Sequence, residues 1–267
     1  MILQFQNKRV NITIPKTVRR LKKEFWPLVY DDEGPQKQDK VFRKLSVFEK
    51  KEDQEKFFFD QEVKTVGIWM SGGADSSLLA WLLAKEIIDE KLDVRIQPMS
   101  VRRGRGWNPL YAGNVVDFII KDLNFKNMNE HLIYYPDIND EHQREFQEFW
   151  DRNDENFIKD VFQILYAGIT SNPPKNSGLP QSKERSRDED VEKELVVQNN
   201  LRTYMTPLFD VNKSVLADIY ANYNLTDSLF PITRSCEGSI DETGNYTFHC
   251  GKCWWCQERS WAFGRLV

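Results

Sequence analysis

A short polar loop between two apolar segments constrains this chain more than any other feature. Residues 68–83 read IWMSGGADSSLLAWLL, so two glycines, an aspartate and three serines separate two apolar stretches. A strand is predicted over 64–70, because KTVGIWM is short, apolar and partly β-branched. A helix is predicted over 75–90, where Asp75 and the serines suit a helix N-terminus and the following residues are apolar on nearly every face. The pattern is typical of a buried strand that turns into a buried helix.

Predicted strands and helices alternate along much of the chain. The further elements are strands at 93–101, 131–137 and about 166–171, and helices at 111–123, at 141–166 and from about Asn212 onward. Alternating strands and helices form right-handed βαβ units, which place helices on both faces of a parallel sheet. The predicted fold class is therefore α/β, with a doubly wound parallel sheet.

Changes in composition divide the 267 residues into four segments. They are an N-terminal extension at 1–62, an α/β domain at 63–171, a flexible insertion at 172–199 and a C-terminal helical and cysteine-bearing segment at 200–267. The extension is mixed and charged, which predicts either a small β-α appendage or a solvated arm. The insertion is rich in Pro, Ser and charge, which predicts a plain irregular loop or a lid.

The polar loop has the properties of a phosphate-binding site. In doubly wound sheets, ligands bind outside the carboxyl ends of the strands, where helix N-termini present unpaired N–H groups. Gly72 and Gly73 let the backbone approach an anion closely, and the neighbouring serine hydroxyls can donate hydrogen bonds. Asp75 would repel a phosphate, and a magnesium ion between Asp75 and the phosphates would remove that repulsion. A turn with an ordinary helix cap is the alternative.

All four cysteines of the chain lie within 21 residues near the C-terminus, at Cys236, Cys250, Cys253 and Cys256. The cysteines of CGKCWWC are too close together for unstrained disulfides, but they can surround one ion with Cys236 as the fourth ligand. Four thiolates in a tetrahedral arrangement suit a structural Zn²⁺, which is the predicted metal. An iron–sulfur cluster is the competing interpretation, and a set of reactive thiols is a lesser one.

Composition counts against several other classes of protein. The net charge is −4 and the pI is near 5.6, which argues against a dedicated binder of duplex nucleic acid. No apolar run is long enough to span a membrane, and the first residues, MILQFQNKRVNITIPK, lack a signal-peptide pattern. The expected location is therefore cytoplasmic.

The motif SGGxDS, placed between a strand and a helix, resembles the PP-loop of the ATP pyrophosphatases. That resemblance implies a HUP-like (adenine nucleotide alpha hydrolase-like) α/β fold and cleavage of ATP between its α and β phosphates. Together with TPLFDVNKS at 206–214 and the cysteine-bearing run at 235–266, the loop resembles the 7-cyano-7-deazaguanine synthase family. The family's terminal pattern SC…CGxCxxCxxRxxAF is present, with Arg259, Ala262 and Phe263 at the expected places.

The resemblance implies an ATP-dependent carbon–nitrogen ligase that forms AMP and pyrophosphate. The family converts 7-carboxy-7-deazaguanine and ammonia to 7-cyano-7-deazaguanine through an acyl-adenylate, in queuosine biosynthesis. ATP, Mg²⁺ and Zn²⁺ are the implied cofactors, and a homodimer is the implied assembly. By match to the motif, the ATP-binding residues are Ser71, Gly72, Gly73, Asp75 and Ser76. Asp75 and Lys213 are the predicted catalytic residues, although a lysine on a helix surface is an equal alternative for Lys213.

The chain departs from the family on the substrate side. More than 60 residues precede the loop, and SVRRGRGWNPLYAG follows the second strand, where the family has a different run. An alternative function is therefore adenylation of another substrate, such as a tRNA base that is thiolated or amidated. Arg102, Arg103, Arg105 and Trp107 form a basic patch that can contact a phosphate backbone, but the acidic net charge favours a solvated loop. A non-enzymatic nucleotide-binding or zinc-stabilised interaction module is a third alternative, and the intact SGGxDS counts against it.

Overall fold

The computed structural model describes residues 1–22, 56, 58–102, 107–135, 152, 155–157, 159–179, 196–198 and 203–267. The strands are β1 (Ile2–Phe5), β2 (Lys8–Asn11), β3 (Thr17–Leu21), β4 (Phe58–Glu62), β5 (Thr65–Trp69), β6 (Arg95–Val101), β7 (Leu132–Tyr134), β8 (Ile164–Ala167), β9 (Val196–Gln198) and β10 (Thr203–Met205). The α-helices are α1 (Ala74–Asp89), α2 (Asn108–Asp122), α3 (Lys213–Asn222) and α4 (Trp254–Phe263). Two 3-10 turns span Phe230–Ile232 and Asp241–Thr243.

The main sheet of the described residues has six strands in the order β7-β6-β5-β8-β10-β9. The first five run parallel, and β9 pairs antiparallel with β10 at the edge. The chain runs outward from β5 through α1, β6 and α2 to β7, and then crosses to the other side of β5, where β8 pairs with it. The predicted HUP-like, doubly wound α/β sheet is confirmed, and its topological switch point lies between β5 and β8.

The strand β5 and the helix α1 form the centre of the core. Val66 and Ile68 of β5 have no exposed surface, as expected for a parallel strand that is covered on both faces. Most residues of α1 are buried, because the helix packs on β5 and also contacts α2 and α3. Each large apolar side chain that α1 buries contributes about 1.5–3 kcal/mol. The apolar character of α1 on nearly every side therefore reflects its place between other elements.

Most predicted elements lie within a few residues of the observed ones. The helix α2 begins three residues before the predicted start at 111, because Pro109 occupies its first turn, where the missing N–H costs no helical hydrogen bond. The strands β6 and β7 are shorter than the predicted 93–101 and 131–137. These differences change the ends of the elements and leave their order intact.

The helix predicted over 141–166 is wrong at its C-terminal end. Residues 136–151 lie outside the described part of the chain, and residues 155–157 are helical. The helix cannot continue through Asp160, whose φ is +55°. The apolar run that follows forms the buried strand β8, which pairs in parallel with β5 and begins two residues before the predicted 166.

The described residues of the N-terminal extension include four short strands. The strands β1 and β2 pair antiparallel, and so do β3 and β4, while residues 23–55 lie outside the described part. Ile12 and Ile14 join the main apolar core. The hydroxyl of Tyr166 in β8 donates to the backbone oxygen of Thr13 at 2.9 Å, which attaches the extension to the sheet.

The fifth parallel strand of the sheet lies in the C-terminal segment. No strand was predicted at Thr203–Met205, but β10 lies there, buried beside β8. The insertion predicted over 172–199 ends in β9, and residues 180–195 lie outside the described part. The boundaries proposed for the four segments stay predictions.

In the described ranges, no α-helix combines the length and the apolar character that crossing a bilayer requires.

Candidate functional site

The glycine loop lies at the carboxyl end of β5, beside the topological switch point. The N–H of Met70 donates to the oxygen of Met99 at 2.8 Å, so the chain stays in the sheet up to the loop. Gly72 has a φ of +75°, which other residues adopt only with strain. A Cβ at this position would lie 2.7 Å from the Cβ of Tyr111 and 3.0 Å from the oxygen of Asn108. Backbone conformation and the packing of α2 therefore both require glycine here.

The serine hydroxyls of the loop bond to its own backbone. The N–H of Ser71 donates to the Oγ of Ser76 at 3.2 Å, and the Oγ of Ser77 donates to the oxygen of Gly73 at 2.7 Å. Gly73 is the N-cap of α1, and no side chain caps this helix end. The first-turn N–H groups and the positive end of the helix dipole therefore form a place for an anion. The predicted Ser71, Gly72, Gly73 and Ser76 are brought together at this helix end.

The end of β8 closes the other side of the loop. A Cβ on Gly168 would lie 2.6 Å from the nitrogen of Ser76 and 2.8 Å from the carbonyl carbon of Asp75. Two residues later, the hydroxyl of Thr170 donates to the Oδ2 of Asp75 at 3.3 Å. Gly168 and Thr170 were not predicted as site residues, although they lie in YAGITS, the run for which a strand was predicted at about 166–171.

The structure places the two predicted catalytic residues side by side. Lys213 is the first residue of α3, whose N-cap Asn212 accepts from the N–H of Ser214 at 3.0 Å. The Nζ of Lys213 lies 3.6 Å from Asp75 Oδ2 and 2.7 Å from Glu258 Oε2. The side chains of Lys213, Asp75 and Glu258 are 4%, 18% and 0% exposed. Lys213 is thus a buried ammonium between two carboxylates rather than a residue of a solvated helix surface.

The four cysteine thiols converge as predicted, with all Sγ atoms within 4.8 Å of one another. Cys236 and Cys256 are buried, and the other two are half-buried. The N–H groups of Gly238 and Cys250 donate to the Sγ of Cys236, and the N–H of Cys253 donates to the Sγ of Cys250, each at 3.3 Å. Donors aimed at sulfur stabilise a thiolate, which is the form that ligates metal. The cluster can therefore hold a metal ion.

The pKa values of these thiols diverge. Burial raises the pKa of the Cys236 thiol, whereas the hydrogen bond from the Cys256 thiol lowers the pKa of Cys253 to about 5. A cation among the four sulfurs would favour the thiolate form of all of them. The donor set thus suits a metal that binds four thiolates.

The two residues that precede Cys236 contact the glycine loop. The N–H of Arg234 donates to the oxygen of Gly72 at 2.7 Å, and the Oγ of Ser235 lies 3.0 Å from the position that a Cβ on Gly73 would take. Cys236 follows these two residues. The glycine loop and the cysteine cluster, which are separate motifs in the sequence, therefore lie next to each other in the fold.

The predicted basic patch is only partly described. Arg103 and Arg105 lie outside the described residues. Arg102 follows β6 and lines a cavity of about 560 Å³ between α2 and β7, together with His131 and Tyr135. The ring of Trp107 packs 5.5 Å from the guanidinium of Arg234, so it contributes to packing beside the loop.

Comparisons with known proteins give a distant structural likeness and no match to a family. No family model matches the chain, and no curated protein matches it. Among solved structures, the U34-tRNA thiolase NcsA from Methanococcus maripaludis with its 4Fe-4S cluster is similar at 15% identity and a TM-score of 0.41. The similarity covers 75% of this chain and 71% of that chain. A likeness of this level carries no conclusion about substrate or metal.

Proposed function

We propose that this protein is a PP-loop ATP pyrophosphatase, an enzyme that cleaves ATP between the α and β phosphates to adenylate a substrate. The observation that carries the proposal is the meeting of Asp75 and Lys213 beside the uncapped N-terminus of α1. The carboxyl ends of β5 and β8, where the strand order reverses, are the expected place for a nucleotide in such a sheet.

Each part of the site has a role in this chemistry. The first-turn N–H groups of α1 bind the terminal phosphates, which become the leaving pyrophosphate. Lys213 offsets negative charge that develops during attack at the α phosphorus. Asp75 binds the Mg²⁺ that accompanies ATP, and Thr170 orients its carboxylate. Gly168 and Gly72 keep side chains out of the loop and so preserve its shape.

The substrate that we propose is 7-carboxy-7-deazaguanine. Its carboxylate attacks ATP to give an acyl-adenylate and pyrophosphate, and ammonia then displaces AMP to give the amide. A second adenylation, on the amide oxygen, lets that oxygen leave with AMP and yields the nitrile. The support for this substrate is the terminal cysteine pattern together with TPLFDVNKS, because the lysine of that run lies beside Asp75 of the glycine loop.

We also propose that the metal is a single Zn²⁺ with a structural role. Zn–S bonds of about 2.3 Å in tetrahedral geometry place the sulfurs about 3.8 Å apart. Cys250 Sγ and Cys256 Sγ lie 3.9 Å apart, close to that spacing. In a four-iron cluster each thiolate binds a different iron, so the sulfurs lie farther apart. Metal analysis together with the visible absorbance of the same preparation distinguishes zinc from iron–sulfur.

Adenylation of a tRNA base is the second candidate. The observation that favours it is the position of Arg102, a cation at the carboxyl end of β6 on the border of the cavity between α2 and β7. Arginine at such an edge suits a phosphate backbone. The acidic net charge of the chain counts against this candidate.

The test incubates the purified protein with Mg²⁺ and ATP that is labelled in the α phosphate. One reaction contains 7-carboxy-7-deazaguanine and ammonia, a second contains tRNA and a sulfur donor, and a third contains neither. The proposal predicts labelled AMP in the first reaction, with the mass of the acid decreasing by the replacement of COOH with CN. AMP that forms only with tRNA would support the second candidate, and labelled ADP as the product would exclude both.

A matched pair of variants assigns the activity to the site. Asp75→Asn removes the negative charge beside Lys213, and we expect it to abolish AMP formation. Asp89→Asn makes the same substitution at the other end of α1, where the carboxylate pairs with Lys85 at 2.9 Å. We expect this control to keep wild-type activity, since Asp89 lies at the far end of α1 from the loop.

A further inference from the structure

The ammonium of Lys213 is held mainly by Glu258. Their atoms lie 2.7 Å apart, which is a hydrogen-bonded ion pair, whereas Lys213 Nζ and Asp75 Oδ2 are 3.6 Å apart. Glu258 has no exposed side-chain surface. The ring of Trp255, on the same helix, lies 5.2 Å from the ammonium. The helix α4 therefore fixes the position of a lysine that belongs to α3.

The position of α4 depends in turn on the cysteines. Cys253 is its N-cap and Cys256 lies in its first turn, so two of the four thiols of the cluster are at this helix end. Glu258 follows Cys256 by two residues. A helix of ten residues is marginal by itself, and no side chain caps this one. A metal that binds both cysteines would hold the N-terminal half of α4 in place.

The C-terminal half of α4 has a separate attachment. The ring of Phe263 stacks on Phe230 with the centroids 3.9 Å apart, and it meets Tyr220 edge-on at 5.4 Å. These contacts belong to the apolar core and do not involve the cysteines. Arg259, the residue after Glu258, is also held without the cysteines, since its guanidinium donates to Thr233 Oγ1 and to the oxygen of Phe230, each at 2.9 Å. Loss of the metal would therefore loosen the N-terminal part of α4, which carries Trp255 and Glu258, while Arg259 and Phe263 keep the rest of the helix attached.

We propose that Glu258 is a positioning residue for Lys213, and that the metal-loaded cysteine cluster, through Glu258, holds this lysine beside Asp75 at the glycine loop. The benefit to catalysis rests on the proposed function, because it assumes that Lys213 acts on ATP. The cluster then sets the geometry of the ATP site in addition to stabilising the C-terminal segment. A metal that stabilises only the cysteine segment itself would leave the position of Lys213 unaffected.

The test measures how fast the Lys213 amine reacts with an acetylating reagent, by mass spectrometry of the peptide that contains it. This readout needs no enzymatic activity. In Glu258→Gln we expect labelling about tenfold faster than in the wild type, because the amine loses its charged partner and opens to solvent. Glu258→Asp keeps a carboxylate on a shorter side chain, so we expect an intermediate rate.

Glu242→Gln is the matched control. Glu242 also pairs with a lysine, Lys252, at 2.9 Å and lies between Cys236 and Cys250 in the chain, but its side chain is 40% exposed. We expect this variant to label Lys213 at the wild-type rate. Wild-type protein that is stripped of metal by a strong chelator should label Lys213 faster, by a factor similar to that of Glu258→Gln. Adding Zn²⁺ back should restore the slow rate.

Two results would overturn the proposal. One is acetylation of Lys213 at the wild-type rate in folded Glu258→Gln, and the other is the same slow rate in protein that metal analysis shows to be metal-free. If Glu258→Gln does not fold, the aspartate variant and the chelated wild type decide in its place. An ATP analogue should slow the labelling of Lys213. If the analogue has no effect but the Glu258 and metal dependence persists, the proposed function fails and the positioning role stands.

Discussion

Replacing Gly72 with alanine adds one methyl group, but it should lower the free energy of unfolding substantially. Alanine would have to adopt the φ of +75° that Gly72 has, at a cost of about 1–2 kcal/mol. Its Cβ would also lie 2.7 Å from the Cβ of Tyr111 and 3.0 Å from the nitrogen of Ala112. Both atoms belong to the well-packed helix α2, so overpacking adds about 1–3 kcal/mol. We expect Gly72→Ala to lower the free energy of unfolding by about 2–5 kcal/mol.

Gly264→Ala separates the two contributions. Gly264 has a φ of +70° at the end of α4, and no atom lies within 4 Å of the position that its Cβ would take. This variant should therefore lose only the conformational part, about 1–2 kcal/mol. Urea unfolding followed by circular dichroism measures both variants, and titration with an ATP analogue reports whether the loop still binds. Equal destabilisation by the two substitutions, or unchanged analogue affinity in Gly72→Ala, would refute the reasoning.

Three further predictions concern other parts of the structure. Gly168→Ala should cost about 1–3 kcal/mol in urea unfolding and weaken binding of an ATP analogue, because its Cβ would meet the backbone of Ser76 at 2.6 Å; unchanged binding would contradict the described contact of β8 with the loop. Arg259→Lys should lower the free energy of unfolding by about 2–4 kcal/mol, because the buried guanidinium donates to three oxygens and lies 3.7 Å from the centroid of the Phe230 ring. An ammonium cannot make all of these contacts, so unchanged stability to heat and urea would contradict them. Burial lowers the pKa of His131 below 6.5, so the unfolded chain binds more protons than the folded chain as the pH falls. The contribution of His131 to the free energy of unfolding should therefore be complete above about pH 6.5 and be lost progressively below it. His131→Gln should flatten this part of the curve of urea midpoint against pH, and an unchanged curve would contradict the lowered pKa.

The sequence was most informative where local pattern and burial coincide. The strand β5, the glycine loop and α1 follow from a short apolar run, a group of turn residues and a long apolar helix, and all three occur as predicted. The cysteine spacing likewise predicted that four thiols converge, because three of them lie within seven residues. In both cases the information is local in the chain.

Features that depend on contacts distant in the chain were missed. The strand β10 has three residues, too few to show a period, and only pairing with β8 makes it a strand. Glu258 is 45 positions from Lys213, and nothing in the helix pattern of α4 marks one glutamate as the partner of a buried lysine. Lys213 illustrates the same limit, since its motif allowed both an exposed and a buried position, and only the fold shows that the side chain is buried.

The most direct test of the account is a crystal structure with Mg²⁺ and an ATP analogue whose bridge between the α and β phosphates cannot be cleaved. We expect the terminal phosphates to lie against the first-turn N–H groups of α1, with the α phosphorus facing Lys213. An analogue that binds instead in the cavity between α2 and β7, with the glycine loop closed, would contradict it.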